Sequence, residues 1–154
     1  MEDRYLRTRK LIGEEGLARL KASSVLVVGI GGVGSYAAEA VARAGVGRIT
    51  LMDGDCVQPS NLNRQLVALM STIGRNKAEV MAERIRDIDP GTEVTVLSRF
   101  YKEGDDLDLT AYDWIIDAID DVFAKTALIR TAIENDINIV SEDPRCRPCQ
   151  RLPA

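Results

Sequence analysis

The chain has 154 residues, 45% of them hydrophobic and 29% charged, which is typical of one folded globular domain. Its net charge of −4 argues against broad, non-specific binding to nucleic acid, and the absence of histidine excludes a Ser-His-Asp triad within one chain. No apolar run approaches the ~20 residues that a membrane span needs, and the charged N-terminus lacks the apolar core of a secretory signal. We therefore expect a cytoplasmic protein with no membrane partner.

A polar helical pattern over residues 3–21 comes first, and beyond it short β-branched runs alternate with longer helical patterns. The predicted strands are Ser24–Val28, Arg48–Met52, Glu93–Leu97, Trp114–Ile119 and Ile137–Val140, and the predicted helices are Gly32–Ala44, Asn76–Ile88 and Asp121–Asn135. This order predicts an α/β fold, a Rossmann-type doubly wound and mainly parallel sheet, over residues 23–141. Residues 1–22 form a separate N-terminal helical segment, for which we expect the role of a lid or a dimer contact.

The stretch VVGIGGVGS follows the first predicted strand and fits the pattern G-x-G-x-x-G. In this pattern Gly29 permits the tight turn, Gly31 lets the backbone approach a phosphate, and Gly34 lets the helix pack closely against the strand. The free N–H groups at the start of the helix favour an anion. Asp53 directly follows the second predicted strand, where a carboxylate can accept hydrogen bonds from a ribose. These features predict a nucleotide site.

The kind of nucleotide depends on charged residues later in the chain. The glycine pattern alone favours NAD, and an NAD-dependent dehydrogenase is one hypothesis. Arg64 ends a long polar loop and Lys77 lies near the start of the next helix, and two cations suit a triphosphate. Asp120 and Asp121 follow the fourth predicted strand, where hard carboxylates suit Mg²⁺. Together these residues favour ATP with Mg²⁺.

Each charged residue also has an ordinary structural interpretation. Arg64 could be an ordinary surface or salt-bridge residue, Lys77 could be a solvated helix residue, and Asp120 could cap a helix. Only their common order on one βα scaffold favours a site.

The motifs of the chain resemble those of the HesA/MoeB/ThiF family, the bacterial relatives of ubiquitin-activating enzymes. The resemblance runs from about residue 4 to residue 141. It rests on GIGGVGS, the D-x-D pair Asp53 and Asp55, the stretch SNLNRQ, Lys77 and the strand end at Asp120. Members of this family bind ATP with Mg²⁺ and adenylate a carboxylate, so the resemblance implies the same activity here.

The resemblance also implies roles for individual residues. The implied nucleotide-binding residues are Gly29, Gly31, Gly32, Gly34, Asp53, Asp55, Ser60, Asn61, Arg64, Lys77, Asp120 and Asp121. Among them, Gly32, Asn61 and Arg64 are expected on the phosphates with Lys77 beside them, Asp53 on the ribose, and Asp120 on the Mg²⁺ ion. Arg64 and Asp120 are the implied catalytic residues, together with Arg7 acting in trans from the partner subunit of a homodimer.

Within the family, the chain is most similar to the branch that acts on threonylcarbamoyladenosine in tRNA. The stretches NLNRQLVAL and GRNKAEVMAERIRDIDP carry this similarity. It implies tRNA as the substrate: adenylation of the threonyl carboxylate lets the neighbouring carbamoyl group close a ring without an enzyme nucleophile. Activation of a ubiquitin-like sulfur-carrier protein, with a sulfur-relay partner, remains the alternative.

The resemblance stops after Ser141, and residues 142–154 form an irregular tail rich in proline. We expect a truncated or frame-shifted product, so a nucleotide-binding fragment without catalysis also remains possible as a hypothesis. Cys146 and Cys149 give one C-x-x-C pair, with Cys56 far away in sequence and no histidine, whereas a closed zinc site needs four ligands. We therefore predict no zinc site in the tail and no catalytic role for Cys56.

Overall fold

A computed structural model describes residues 3–142, which form one parallel sheet with helices on both faces. The strands are β1 (Ser24–Val28), β2 (Arg48–Met52), β3 (Glu93–Leu97), β4 (Trp114–Asp117) and β5 (Asn138–Ser141). The helices are α1 (Leu6–Ala22), α2 (Gly34–Ala44), α3 (Lys77–Ile88) and α4 (Val122–Glu134), with short 3₁₀ turns at Pro59–Asn61, Met70–Thr72 and Leu109–Ala111. The spatial order is β3-β2-β1-β4-β5. The predicted Rossmann-type fold is confirmed.

The central strand β1 is buried along its whole length because helices cover both of its faces. Successive side chains of a strand point to opposite faces. Val25 and Val27 accordingly pack in the cluster that includes α2 and α3, whereas Leu26 and Val28 pack in the cluster that includes α4. The two core layers place α2 and α4 on opposite sides of the sheet.

Two predicted boundaries beside the glycine turn were wrong. Strand β4 ends at Asp117 rather than Ile119, because the Asp117 Oδ1 atom accepts the Ile119 N–H at 3.0 Å and turns the chain. Helix α2 begins at Gly34 rather than Gly32, because residues 29–33 form the turn itself. Both differences lengthen the irregular backbone at the carboxyl ends of the central strands.

The N-terminal segment is helical as predicted but is broken at Gly13, where φ is 73°. The buried side chain of Tyr5 anchors the start of this segment. The Tyr5 phenol donates a hydrogen bond to the Asp89 carboxylate. The Tyr5 ring also packs against Gly45, where an added Cβ would lie 2.8 Å from the ring. Burial, and then the Asp89 carboxylate, raise the pKa of Tyr5 to about 12. Gly45 and Asp89 precede β2 and β3, so this anchor lies at the amino-terminal edge of the sheet.

None of the helices between residues 3 and 142 has the length and apolar character needed to cross a bilayer. The C-x-x-C pair at Cys146 and Cys149 lies outside the described residues.

Candidate nucleotide-binding cleft

A cleft of about 990 Å³ opens at the carboxyl ends of β1, β2 and β4. The chain leaves β1 for α2 on one face and leaves β4 for α4 on the other, so a crevice opens between the two strands. This switch point is where open α/β sheets bind ligands. The cleft walls include most of the predicted nucleotide-binding residues, namely Gly29, Gly31, Gly32, Asp53, Asp55, Arg64, Lys77, Asp120 and Asp121.

Two glycines of the turn are required by the fold, and the other two leave open space in the cleft. Gly29 has a φ of 90°, and a Cβ there would lie 2.5 Å from the Ala118 carbonyl oxygen. A Cβ on Gly34 would lie 1.7 Å from the Gly29 carbonyl oxygen, so Gly34 allows α2 to begin against the strand, and it does not line the cleft. At Gly31 and Gly32 the nearest atoms to an added Cβ are 3.7 Å away. These two glycines leave open space that a phosphate can occupy.

Asp53, which follows β2, accepts a hydrogen bond from the glycine turn. Its Oδ2 atom accepts the Ile30 N–H at 2.6 Å and its Oδ1 atom accepts the Asp55 N–H at 2.8 Å. Asp53 is only 8% exposed, and burial raises the pKa of its carboxyl group, while the two backbone donors and the Lys77 ammonium oppose that shift. Since a carboxylate has about four acceptor positions, Asp53 can hold the turn and still accept a ribose hydroxyl.

Lys77 is a buried cation in the cleft wall. Its side chain is 7% exposed, and its Nζ atom lies 3.0 Å from the Asp55 Oδ2 atom. Asn76 caps α3 by accepting the N–H groups of Ala78 and Glu79, and this places Lys77 at the first position of the helix. The interpretation of Lys77 as a solvated helix residue was therefore wrong.

Arg64 lies over the glycine turn, with its side-chain methylenes nearest to Gly32. Its Nη1 atom donates to the Ser60 carbonyl at 3.0 Å and to Asn63 Oδ1 at 2.9 Å. Arg64 is exposed. It forms no ion pair with a carboxylate of residues 3–142, which argues against the salt-bridge interpretation. Its remaining guanidinium donors are available to phosphate oxygens.

Ser60 and Asn61 lie in the turn that carries Arg64, but they do not line the cleft. Asn61 is buried, and its Oδ1 atom accepts the Gln58 N–H at 2.9 Å. The Arg64 N–H in turn donates to the Asn61 carbonyl at 3.1 Å. In this structure the pair shapes the loop that presents Arg64.

The acidic wall of the cleft contains Asp120 and Asp121 at the start of α4. Asp121 caps the helix, because its Oδ1 atom accepts the Ala124 N–H at 2.8 Å. The helix cap is therefore Asp121 and not Asp120. No group of three or more His, Cys, Asp or Glu residues within 3–142 is arranged to hold a metal ion. Mg²⁺ is commonly held by one or two carboxylates together with substrate phosphates, and Asp120 at this wall fits that mode.

Comparison with known proteins identifies the family of the chain. The sequence profile of the ThiF family matches residues 3–145. The chain belongs to the ThiF family. A curated relative from Bacillus subtilis, tRNA threonylcarbamoyladenosine dehydratase, is 47% identical over 92% of this chain and 56% of its own length. A probable molybdopterin-synthase adenylyltransferase from Porphyra purpurea is 35% identical over 81% of this chain and 33% of its own length.

A solved structure of a similar protein has the same fold and is a complex with a nucleotide. The Escherichia coli tRNA N6-threonylcarbamoyladenosine dehydratase in complex with ATP is 47% identical and superposes with a TM-score of 0.87. The match covers 90% of this chain and 58% of the E. coli chain. The chain thus spans little more than half the length of these two dehydratases.

Gln65 also lines the cleft, although it is not among the site residues predicted from the sequence. Gln65 follows Arg64 and is more than nine-tenths buried, and its Nε2 atom is the one nearest to the position of a Cβ on Gly31. Its Oε1 atom is buried and has no hydrogen-bond partner among residues 3–142. Its place next to Arg64 in the SNLNRQ stretch was the available signal.

A buried ion pair supports the acidic wall and was also missed. The Lys125 Nζ atom lies 2.6 Å from Asp117 Oδ2, and both side chains are almost wholly buried. Lys125 also donates to the Ser141 hydroxyl at 3.2 Å and to the Glu142 carbonyl at 3.0 Å, so all three of its ammonium protons have acceptors. Since Asp117 also binds the Ile119 N–H, this pair fixes the loop that leads to Asp120.

Arg7 is exposed and does not line the cleft. It lies two residues from Tyr5, which is anchored at the amino-terminal edge of the sheet, whereas the cleft lies at the carboxyl-terminal edge. Any role of Arg7 at a nucleotide site therefore requires the cleft of another chain.

Proposed function

We propose that this chain carries the ATP-binding part of an adenylating enzyme, and that the whole protein cyclises threonylcarbamoyladenosine in tRNA. The observation that carries the proposal is that Arg64, Lys77 and Asp120 line one cleft together with the open positions Gly31 and Gly32 of the glycine turn. Two cations beside an open phosphate cradle suit a triphosphate better than the pyrophosphate of NAD, which backbone N–H groups usually hold. The identity with the dehydratases supports the choice of tRNA.

The proposed binding mode assigns each wall of the cleft a part of ATP. Gly31 and Gly32 receive phosphate oxygens, Arg64 and Lys77 neutralise them, and Asp53 binds the ribose. Asp120 would hold Mg²⁺, which supplies charge neutralisation at the phosphates when it is bound. Ser60 and Asn61 act indirectly, by shaping the loop of Arg64.

The proposed reaction has two steps. An oxygen of the threonyl carboxylate attacks the α-phosphorus of ATP, and pyrophosphate leaves with the electrons of the broken P–O bond. The carbamoyl group then attacks the activated carbonyl carbon and loses a proton, and AMP leaves. Both steps are promoted by positioning and charge neutralisation and need no nucleophilic side chain, which agrees with a chain that has no histidine.

A direct test uses tRNA that carries the threonylcarbamoyl group. With ATP and Mg²⁺ present, we expect release of one AMP for each ring that forms, measured by chromatography of the nucleotides and of the digested tRNA. Asp120→Asn is the matched control and should abolish AMP release. AMP release that requires a ubiquitin-like carrier protein instead of the tRNA would favour the sulfur-carrier alternative, to which the similarity with the molybdopterin-synthase adenylyltransferase lends weight. ATP binding without any AMP release would favour a non-catalytic nucleotide-binding fragment.

We further propose a homodimer in which Arg7 of one subunit reaches the phosphates in the cleft of the other. Arg7→Ala and Asp120→Ala should each remove activity. Mixing the two variants under conditions of subunit exchange should restore about one quarter of it, because half of the dimers are mixed and each mixed dimer has one intact site. AMP release from the mixture is the measurement, and an exchanging mixture that stays inactive would exclude the role in trans.

A further inference from the structure

Phe123 is an exposed aromatic side chain in the part of the cleft wall that follows β4. It is the second residue of α4, it lines the cleft, and 87% of its surface is exposed. A single exposed apolar residue needs no explanation by itself. Phe123, however, follows Asp120 by three positions, and both residues line the same cleft. An exposed ring in the wall of a ligand cleft suits a flat, partly apolar ligand group.

The helical turn that carries Phe123 is held in place by its neighbours in the chain. Asp121 caps α4 by accepting the Ala124 N–H, and Lys125 is buried in an ion pair with Asp117. Residues two positions apart on a helix point about 200° apart, so Phe123 is directed away from the buried side that Lys125 occupies. The ring is therefore presented to the cleft from a fixed turn of helix.

The sheet order separates the side of the cleft that ATP would occupy from the side after β4. The strands β2 and β4 flank β1 on opposite sides. In the proposed binding mode the phosphates lie at the turn after β1, and Asp53 binds the ribose after β2. ATP then extends from β1 towards β2 and leaves the part of the cleft after β4 to the second substrate. Among residues 3–142, Phe123 is the one aromatic residue that lines this part.

The proposed second substrate carries a purine close to its reacting carboxylate. In threonylcarbamoyladenosine, the carbamoyl group joins the threonine to the N6 atom of the adenine. A threonyl carboxylate that reaches the α-phosphorus of ATP therefore brings this purine into the same cleft. Bases in single-stranded loops of RNA are commonly recognised by stacking on aromatic side chains. The exposed ring after β4 has the chemistry that this purine requires.

We propose that Phe123 stacks on the purine of the threonylcarbamoyladenosine substrate and determines specificity for a substrate that carries a base. This inference rests on the proposed function and adds to it a contact with the second substrate. Stacking of one base on an aromatic side chain is worth about 5- to 150-fold in affinity. The protein tail of a ubiquitin-like carrier has no base, so this role of Phe123 also distinguishes the tRNA substrate from the sulfur-carrier alternative.

Calorimetric titration with the nucleoside threonylcarbamoyladenosine tests the inference. The chain is first saturated with Mg²⁺ and an ATP analogue that has a methylene between the α- and β-phosphorus atoms and cannot react. Phe123→Ala should weaken nucleoside binding about 5- to 150-fold and leave the affinity for the ATP analogue within about twofold. Ile133→Ala is the matched control: Ile133 lies on the same helix and is 68% exposed but does not line the cleft, so neither affinity should change.

Fluorescence reports the stacking contact itself. The sequence has one tryptophan, Trp114, which begins β4 at the amino-terminal edge of the sheet and does not line the cleft. In the double variant Trp114→Phe with Phe123→Trp, the nucleoside should quench the indole at position 123. N-carbamoylthreonine should leave the fluorescence unchanged, because it has the carboxylate and the carbamoyl group but no base. The ATP analogue alone should also leave it unchanged.

Three results would overturn the proposal. In the first, Phe123→Ala binds the nucleoside as tightly as the unsubstituted chain; in the second, it loses the nucleoside and the ATP analogue equally, so that the ring supports the cleft wall instead. In the third, the ATP analogue alone quenches the indole at position 123, which would put the adenine of ATP on the β4 side.

Failure of the proposed function gives a different pattern. An unsubstituted chain that does not bind the ATP analogue would show that the ATP site is wrong. An unsubstituted chain that binds the analogue but not the nucleoside would show that the proposed second substrate is wrong. The stacking role falls with either result, whereas a failure of the stacking role alone is seen only in the variants.

Discussion

Lys125→Met should lower the free energy of unfolding by about 3–5 kcal/mol, which is the cost of removing one partner of a buried ion pair. The substitution removes three hydrogen bonds, to Asp117, Ser141 and the Glu142 carbonyl. It also leaves the Asp117 carboxylate buried without its counter-ion. Urea denaturation followed by circular dichroism measures this loss.

Two further variants separate the buried charge from the general effect of losing a lysine. The double variant Asp117→Asn with Lys125→Met should recover at least half of the lost stability, because no uncompensated charge then remains in the core. Arg130→Met removes an exposed cation from the same helix, where Arg130 pairs with Glu103, and should cost less than about 1 kcal/mol. A Lys125→Met protein as stable as the Arg130→Met control would contradict the buried network.

Arg64→Met and Lys77→Met should each weaken ATP·Mg²⁺ binding about 10- to 100-fold, because each removes a charged hydrogen-bond donor from the phosphate site. The fold should survive the loss of Lys77, since its partner Asp55 is 57% exposed and can be hydrated. Arg43→Met provides the control, because Arg43 lies at the far end of α2 and pairs with Glu39. Unchanged ATP affinity in both cleft variants would show that the phosphate assignment is wrong.

The sheet could be predicted from the sequence because its signals are local. The β-branched runs of β1, β2 and β3 have the predicted bounds, and the glycine spacing located the turn after β1. The end of β4 could not be predicted, because it depends on Asp117, whose side chain bonds to Ile119 and to a lysine in the next helix. Contacts of this kind exist only after the chain has folded.

The sequence predicts which residues belong to the site, and the structure shows which of them line the cleft. Arg64 and Lys77 reach the cleft as expected, whereas Asn61 is buried in the loop that carries Arg64. Asp53 is predicted to bind a ribose, but its bond to the Ile30 N–H depends on β1 and β2 lying side by side. Sequence spacing identifies which residues lie near a site, and packing determines which of them face it.

Calorimetric titration with ATP in the presence and absence of Mg²⁺, and separately with NAD⁺ and NADH, tests the central claim most directly. The geometry of the glycine turn with Arg64 and Lys77 predicts ATP binding that is strengthened by Mg²⁺, with no heat from either dinucleotide. Binding of NAD⁺ or NADH in preference to ATP would contradict the adenylating site.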